Sequence, residues 1–437
     1  MKIAVIGAGI SGLTAAFRLQ QRGHQVEVLE ATESAGGRMG STDVAGFPVE
    51  LGAHMLLDSY ARTRALVDEM GLTETWYEVE SGPGGGVLHD HEVSSFSPKS
   101  AFEILRYRGL ALSGRIRLLL ALLQSERYRG ELDFFDLSVG DDALDTEDCD
   151  TFARRHLGDE AADYIVDTFI RTFHFYGARR MSAKYFEALA VLLLSKAGFQ
   201  VCALRGHMRS LPDALASHLP VSYTTEVLGV ASVASGVEVT SAQRVERYDA
   251  VVVATPAEVA LPMLRAPSAA QRALLEHASS SRTALCVYTV PSALAGSFEG
   301  IWIPFVESEI VSGLANNSCF GARRGADTPF SVWLHEEAAE KWWNHADEQI
   351  LRATAEELGR LFPHYQGHLH PLYLKRWPQA LPVYGVGQVS RVRAFWESGQ
   401  GDGGIWLCGD YLNHPWVEGA VLCGEKVAAR LHASASR

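Results

Sequence analysis

The chain opens on an unbroken apolar run, Ile3 to Ile6, the pattern of a strand buried on both faces in a parallel sheet. Ile10 to Gln21 follows with helical spacing and ends at Gly23, and Gln25 to Leu29 reads as a second strand. From about residue 80 to 200 the pattern changes to acidic loops such as DDALDTED and to helical runs from Asp150 through Leu194. After Gly206 it changes back. A helix is predicted over Arg209 to Leu219, strands near Val227 to Val233 and Val237 to Thr240, and a buried strand at Ala250 to Ala254. Strands at Leu285 to Val290 and Leu372 to Arg376 flank a helical stretch, Glu336 to Leu361, and from Gly404 the chain returns to strand, glycine turn and helix. No fixed-period repeat is visible. Both ends therefore read as one α/β unit with a second domain threaded between them.

The chemistry sits where these elements join. Gly7, Gly9 and Gly12 have GxGxxG spacing between the first strand and first helix. There the first glycine permits a tight turn, the second admits a pyrophosphate and the third lets helix pack on strand. The helix N-terminus offers free N–H groups and partial positive charge to phosphates. Glu30 ends the second strand, placed to accept hydrogen bonds from a ribose. Gly36, Gly37 and Arg38 follow, and a guanidinium beside a flexible glycine pair reaches phosphate oxygens bidentately, which favours FAD over NAD. At the other end, Ile405 to Cys408 is a strand whose carboxyl end carries Asp410, placed for a ribityl or phosphate-side hydroxyl. The helix opening near Val417 aims its positive end at the same place.

Composition narrows the partners. A net charge of −13 over 437 residues argues against a nucleic-acid partner, which needs clustered Lys and Arg. Six cysteines without CxxC pairing read as free thiols in a reducing compartment. The strand starting at Lys2 leaves no room ahead of it for a signal peptide, no run of about 18 uncharged apolar residues suggests a spanning helix, and a cytoplasmic location is expected. HEEAA at His335 lacks the second histidine of HExxH, so no metal site is expected.

GAGISGL with Glu30, GGRM, VELGAH at Val49 to His54, RWPQALPVYGVG at Arg376 to Gly387, and CGDY and WVEGAV near the end together resemble the flavin-containing amine oxidase and protoporphyrinogen oxidase superfamily, in order along essentially the whole chain. The resemblance implies a discontinuous Rossmann-type FAD-binding domain, residues 1–75, 206–284 and 395–437. It also implies an α+β substrate-binding domain, residues 76–205 and 285–394, with a mixed sheet and a helical insertion. It assigns cofactor contacts to Gly7, Gly9, Ser11, Gly12, Glu30, Gly37 and Arg38, to Gly52 and Ala53 near the isoalloxazine, to the backbone of Val227 at adenine, and to Asp410, Val417 and Glu418 at the ribityl and pyrimidine end. Pocket candidates are His54, His174, Tyr384 and Trp416, the last where a cage tyrosine is expected in amine oxidases.

Departures from the family pattern separate its branches. Amine oxidases place a lysine beside flavin N5; in TALCVYTV that position falls on Leu285. No cysteine lies between Cys319 and Cys408, where a covalent flavin link would need one, so the FAD is expected to be non-covalent. RWPQALPVYGVG, with Tyr384 at the pocket floor, and FHFYGARRMSAKYF favour a porphyrinogen oxidase-like branch. The expected reaction is two-electron oxidation of an apolar or aromatic small molecule, with hydride passing to flavin N5 and O2 as default acceptor. Amine or amino-acid oxidation and carotenoid-type desaturation or saturation are alternatives, and an FAD-less escort-type binding protein is the non-enzymatic one. Six arginines between residues 106 and 129 sit among leucines where relatives contact membranes, but no single basic face emerges, and Gly109 and Gly114 are expected to break the run.

Overall fold

The structure is a computed structural model that describes residues 1–80, 85–96, 101–140, 142–194, 200–322 and 325–435. Its first layer is a five-stranded parallel sheet ordered Val221–Ser222, Gln25–Leu29, Lys2–Ile6, Ala250–Val253, Ile405–Leu407. Val5 pairs with Val28 on one side and Val252 on the other, which explains why these strands are continuously apolar. The first and last strands in sequence thus enter one sheet, as the apolar pattern predicts. The helix Ile10–Gln21 matches its expected bounds, and the C-terminal helix Val417–Ala435 crosses it closely. A Cβ at Gly424 would stand 2.5 Å from the Ser11 carbonyl oxygen, so only glycine lets the two helices meet at that distance.

A three-stranded antiparallel meander, Val227–Val233, Gly236–Ser241 and Val245–Tyr248, accompanies this sheet. The second layer is a seven-stranded mixed sheet ordered His370–Trp377, Thr283–Pro291, Asp327–Leu334, Val311–Asn316, Gly300–Trp302, Gly86–His89, Glu92–Ser94. Its one parallel pairing, Gly300–Trp302 with Gly86–His89, joins distant segments of the chain. The helical region predicted between 80 and 200 contains the helices Leu112–Ser125, Cys149–His156, Thr168–His174 and Ala183–Leu193.

The break in the arginine-rich run falls between Arg106 and Leu112; Gly114, expected to break it, lies inside the helix Leu112–Ser125. That helix buries Leu118 and Leu122 and leaves Leu112, Ile116, Leu120 and Leu123 exposed. Among the described residues no helix is long and apolar enough to cross a membrane.

Candidate active site

The first loop is built as its spacing requires. Gly7 has φ +103°, and a Cβ there would stand 2.8 Å from the Ala254 carbonyl oxygen; at Gly12 a Cβ would stand 2.2 Å from the Gly7 carbonyl oxygen. Gly9 is different, because a Cβ on it meets nothing within 4 Å and the residue borders a cavity. No side chain caps the helix that starts at Ile10, and Ile10 and Ser11 line the same cavity. An uncapped helix end, open space at Gly9 and close packing at Gly7 and Gly12 form a cradle suited to a pyrophosphate.

Glu30 organises this loop. One carboxylate oxygen accepts from the Ala8 N–H at 2.7 Å, the other from the Thr32 N–H at 2.9 Å and the Thr32 hydroxyl at 2.7 Å. The Glu30 carbonyl accepts from the Thr225 N–H at 2.8 Å, which sets Val227 two residues from the loop although Val227 does not wall the cavity. Gly37, at φ +54°, packs on Gly9, where its Cβ would stand 3.6 Å from the Gly9 Cα.

Arg38 joins three segments that the sequence keeps apart. Its guanidinium donates to both carboxylate oxygens of Asp410, at 2.8 and 2.9 Å, and to the Ala380 carbonyl at 3.0 Å. Arg38 and Asp410 both line the cavity. Gly52 and Ala53 pack on the Arg38 backbone: the Ala53 N–H donates to the Arg38 carbonyl at 2.8 Å, and a Cβ at Gly52 would approach that oxygen to 2.2 Å.

Three candidates lie elsewhere than expected. Tyr384 is a core residue rather than a pocket floor; its hydroxyl donates to the Asp410 carbonyl at 2.8 Å, and its segment contributes Trp377, Ala380 and Leu381 to the cavity instead. The Glu418 carboxylate turns from the cavity to the start of the helix Ala61–Glu69, accepting from the Arg62 N–H, the Thr63 N–H and the Thr63 hydroxyl at 2.8, 2.9 and 2.6 Å. An anion at a helix N-terminus is favourable there, although burial raises the Glu418 pKa. His174 is fully buried behind the wall, stacked on Trp416 with ring centroids 5.4 Å apart and bonded to the Tyr185 hydroxyl. Burial lowers its pKa to about 3. Val417 and Trp416 do line the cavity, and the Trp416 indole donates to the Phe173 carbonyl at 3.4 Å.

The cavity itself measures about 470 Å³ and runs from Gly9 to the seven-stranded sheet. One face of that sheet presents Trp302, Trp333 and Trp377, with Gly300, Gly313 and Ala315 leaving space between them. His54 stands edge-on to Trp333 at 4.7 Å. Its Nδ1 lies 2.9 Å from the Gly52 carbonyl, so this nitrogen donates and Nε2 accepts from the Ser331 hydroxyl at 3.0 Å. Burial lowers the His54 pKa to about 4, so the ring is neutral at pH 7. Leu285, expected from the sequence at the position of the amine-oxidase lysine, is fully buried against Val49 and Val287, while Thr283 lines the cavity with its hydroxyl on the Leu334 carbonyl. The described cavity walls include no lysine and no cysteine. Their charged groups are Arg38, Asp410 and Glu299, and one Glu299 carboxylate oxygen is buried without a hydrogen-bond partner.

Sequence reasoning missed Trp302, Trp333, Phe173 and Phe175 as wall residues, since no spacing distinguishes a cavity-facing aromatic from a core one. Phe175 ends the helix Thr168–His174 with a positive φ of +67°, unusual in a residue other than glycine, and lines the cavity from there. Among the described residues no cluster of His, Cys, Asp and Glu could hold a metal ion.

The comparisons with known proteins agree with this architecture. The chain is similar over 169 residues to protoporphyrinogen oxidase 2, chloroplastic/mitochondrial, of Arabidopsis thaliana, at 28% identity, covering 39% of this chain and 32% of that protein. It therefore matches about a third of the length of that curated relative. Its fold is that of cyclohexylamine oxidase from Brevibacterium oxydans (TM-score 0.77, 18% identity, 100% and 99% of the two chains). It is also that of wild-type putrescine oxidase bound to putrescine (TM-score 0.78, 18% identity, 99% of each chain). The family model described as flavin containing amine oxidoreductase matches residues 10–432. The chain belongs to the flavin containing amine oxidoreductase family.

Proposed function

We propose that this protein binds FAD non-covalently and removes two electrons from an apolar or aromatic small molecule, dehydrogenating a C–C or C–N bond in the manner of a porphyrinogen oxidase, with O2 as electron acceptor. The observation that carries this reading is one continuous cavity with two unlike ends: the nucleotide loop and the Arg38–Asp410 pair at one, three tryptophans of a sheet face at the other. The backbone N–H groups at Gly9 to Ser11 would hold the pyrophosphate, Glu30 and the Val227 strand the adenosine, and Asp410 and Val417 the ribityl and ring end. Bound there, FAD would supply the redox chemistry as the two-electron acceptor, with N5 as the expected hydride-accepting atom.

The protein's own contribution is orientation and exclusion of water. Trp302, Trp333 and Trp416 offer flat apolar surfaces that fix a ring without supplying a base. His54 is tied to Gly52 and Ser331 and stays neutral, which suits a positioning role for the Gly52 backbone. The absence of lysine from the described walls weighs against the amine-oxidising arrangement, and the absence of cysteine supports non-covalent binding. The cofactor domain is assigned to residues 1–75, 206–284 and 395–437, the substrate domain to 76–205 and 285–394.

One observation favours amine oxidation as the second reading. Glu299 lines the cavity and keeps one buried carboxylate oxygen without a hydrogen-bond partner, a carboxylate that would suit an ammonium group. Anaerobic mixing of the protein with cyclic apolar compounds and, separately, with primary and secondary amines distinguishes the two. Loss of the yellow flavin absorbance with the cyclic compounds alone supports the first reading; loss with amines alone overturns it in favour of the second.

A further inference from the structure

A second cavity, of about 80 Å³, lies among the helices Leu112–Ser125, Thr168–His174 and Ala183–Leu193. Leu118, Leu122, Ile165, Ile170, Phe186 and Leu189 form much of its wall. Tyr185 and Cys149 also line it, and their polar groups are engaged: the Tyr185 hydroxyl with His174 and the Cys149 thiol with the Ser182 carbonyl at 3.1 Å. A water molecule needs two to four polar partners, and among the described residues this wall offers none that are free.

The two cavities share a wall. Phe96 and Trp302 border both, edge-on to one another with ring centroids 6.4 Å apart. Trp302 is braced from the helical side by Phe169 and Phe173, at 5.9 and 5.3 Å, so it divides a tryptophan-faced chamber from an aliphatic one.

We infer that the smaller cavity receives a short apolar arm of the substrate, which passes between Phe96 and Trp302 while the ring to be oxidised stays in the larger cavity. This inference rests on the larger cavity being the substrate site. It defines the substrate class more narrowly, as a ring bearing an unbranched alkyl or alkenyl substituent. A charged or hydroxylated arm is excluded, because it would lose its hydration without gaining a partner.

Calorimetric titration of the flavin-bound protein with para-alkylphenols, from methyl to butyl, tests the inference. Each buried methylene contributes about 0.8 kcal/mol, so the Kd should fall about fourfold per carbon and roughly fiftyfold over the series. Leu122→Phe and Leu189→Phe, on separate helices, fill the smaller cavity and should flatten the series while leaving the affinity for the methyl compound unchanged. A wild-type Kd that varies less than twofold across the series would overturn the inference, whether or not the variants fold. So would a gradient that persists in a folded variant, since the arm would then lie elsewhere. A protein without flavin bands fails the functional reading before any titration, so the two failures remain distinguishable.

Discussion

Gly9 and Gly12 occupy one loop and make opposite demands. Ala at Gly12 would drive its Cβ to 2.2 Å from a backbone carbonyl, whereas Gly9 already has an ordinary φ of −70° and open space beside it. Gly12→Ala should therefore destabilise the fold by about 1–3 kcal/mol or more, lowering the thermal midpoint. Gly9→Ala should melt normally yet retain little flavin, a contrast read by melting curves and absorbance on the same samples. Arg38→Ala leaves the Asp410 carboxylate, 6% exposed, without its guanidinium. The expected loss is about 1–3 kcal/mol, below that of a fully buried pair because the Arg38 side chain keeps 31% of its exposure. Asp410→Asn, which keeps the shape, should lose less. At this scale the glycine roles were legible because backbone geometry dictates them. The role of Glu418 was not, since nothing in WVEGAV tells which way a carboxylate turns from a helix.

The Glu418 carboxylate is the clearest case of an element held by a distant residue. It takes the N–H groups that open the helix Ala61–Glu69, where no neighbouring side chain caps the chain. Glu418→Gln retains one acceptor oxygen and loses the charge, so a decrease of about 1 kcal/mol in stability is expected with an unchanged flavin spectrum. A spectrum that changes in parallel with stability would instead place Glu418 at the cofactor. Elements with an unbroken apolar run or a glycine at their end, such as Lys2–Ile6 and Ile10–Gln21, fall where the sequence puts them. The helix Leu112–Ser125 was harder to read, because Gly114 does not end it. Gly114 lies in the first turn of this helix, where a Cβ would meet only ordinary contacts, 3.4 Å from a Glu160 carboxylate oxygen. Its outward leucines were invisible too, since an apolar stripe does not say which side meets the core.

Across the whole molecule, the parallel sheet formed by both ends of the chain was legible, while the mixed sheet was legible only in part. Its strands Gly86–His89 and Gly300–Trp302 are short and pair across more than 200 residues, and no local pattern encodes that register. Burial of histidines is a molecular property of the same kind. His174, His335 and His414 are fully buried with their pKa values lowered by desolvation, His174 to about 3. The unfolded chain takes up protons below about pH 6.5 that these rings refuse in the fold, so stability falls as pH drops from 6.5 toward 4. Each such ring contributes up to about 1.4 kcal/mol per pH unit. Denaturant melts at pH 7.0 and 5.5 should show the loss, and His174→Phe should reduce it; an unchanged slope would mean that His174 titrates normally. The central claim, a non-covalent FAD site assembled from both ends of the chain, is tested most directly by the visible spectrum of the purified protein before and after denaturation. The expected result is a flavin spectrum that leaves the chain entirely on unfolding and is identified as FAD by chromatography of the released material. Absence of flavin bands even after incubation with FAD, or flavin that stays on the denatured chain, would contradict it.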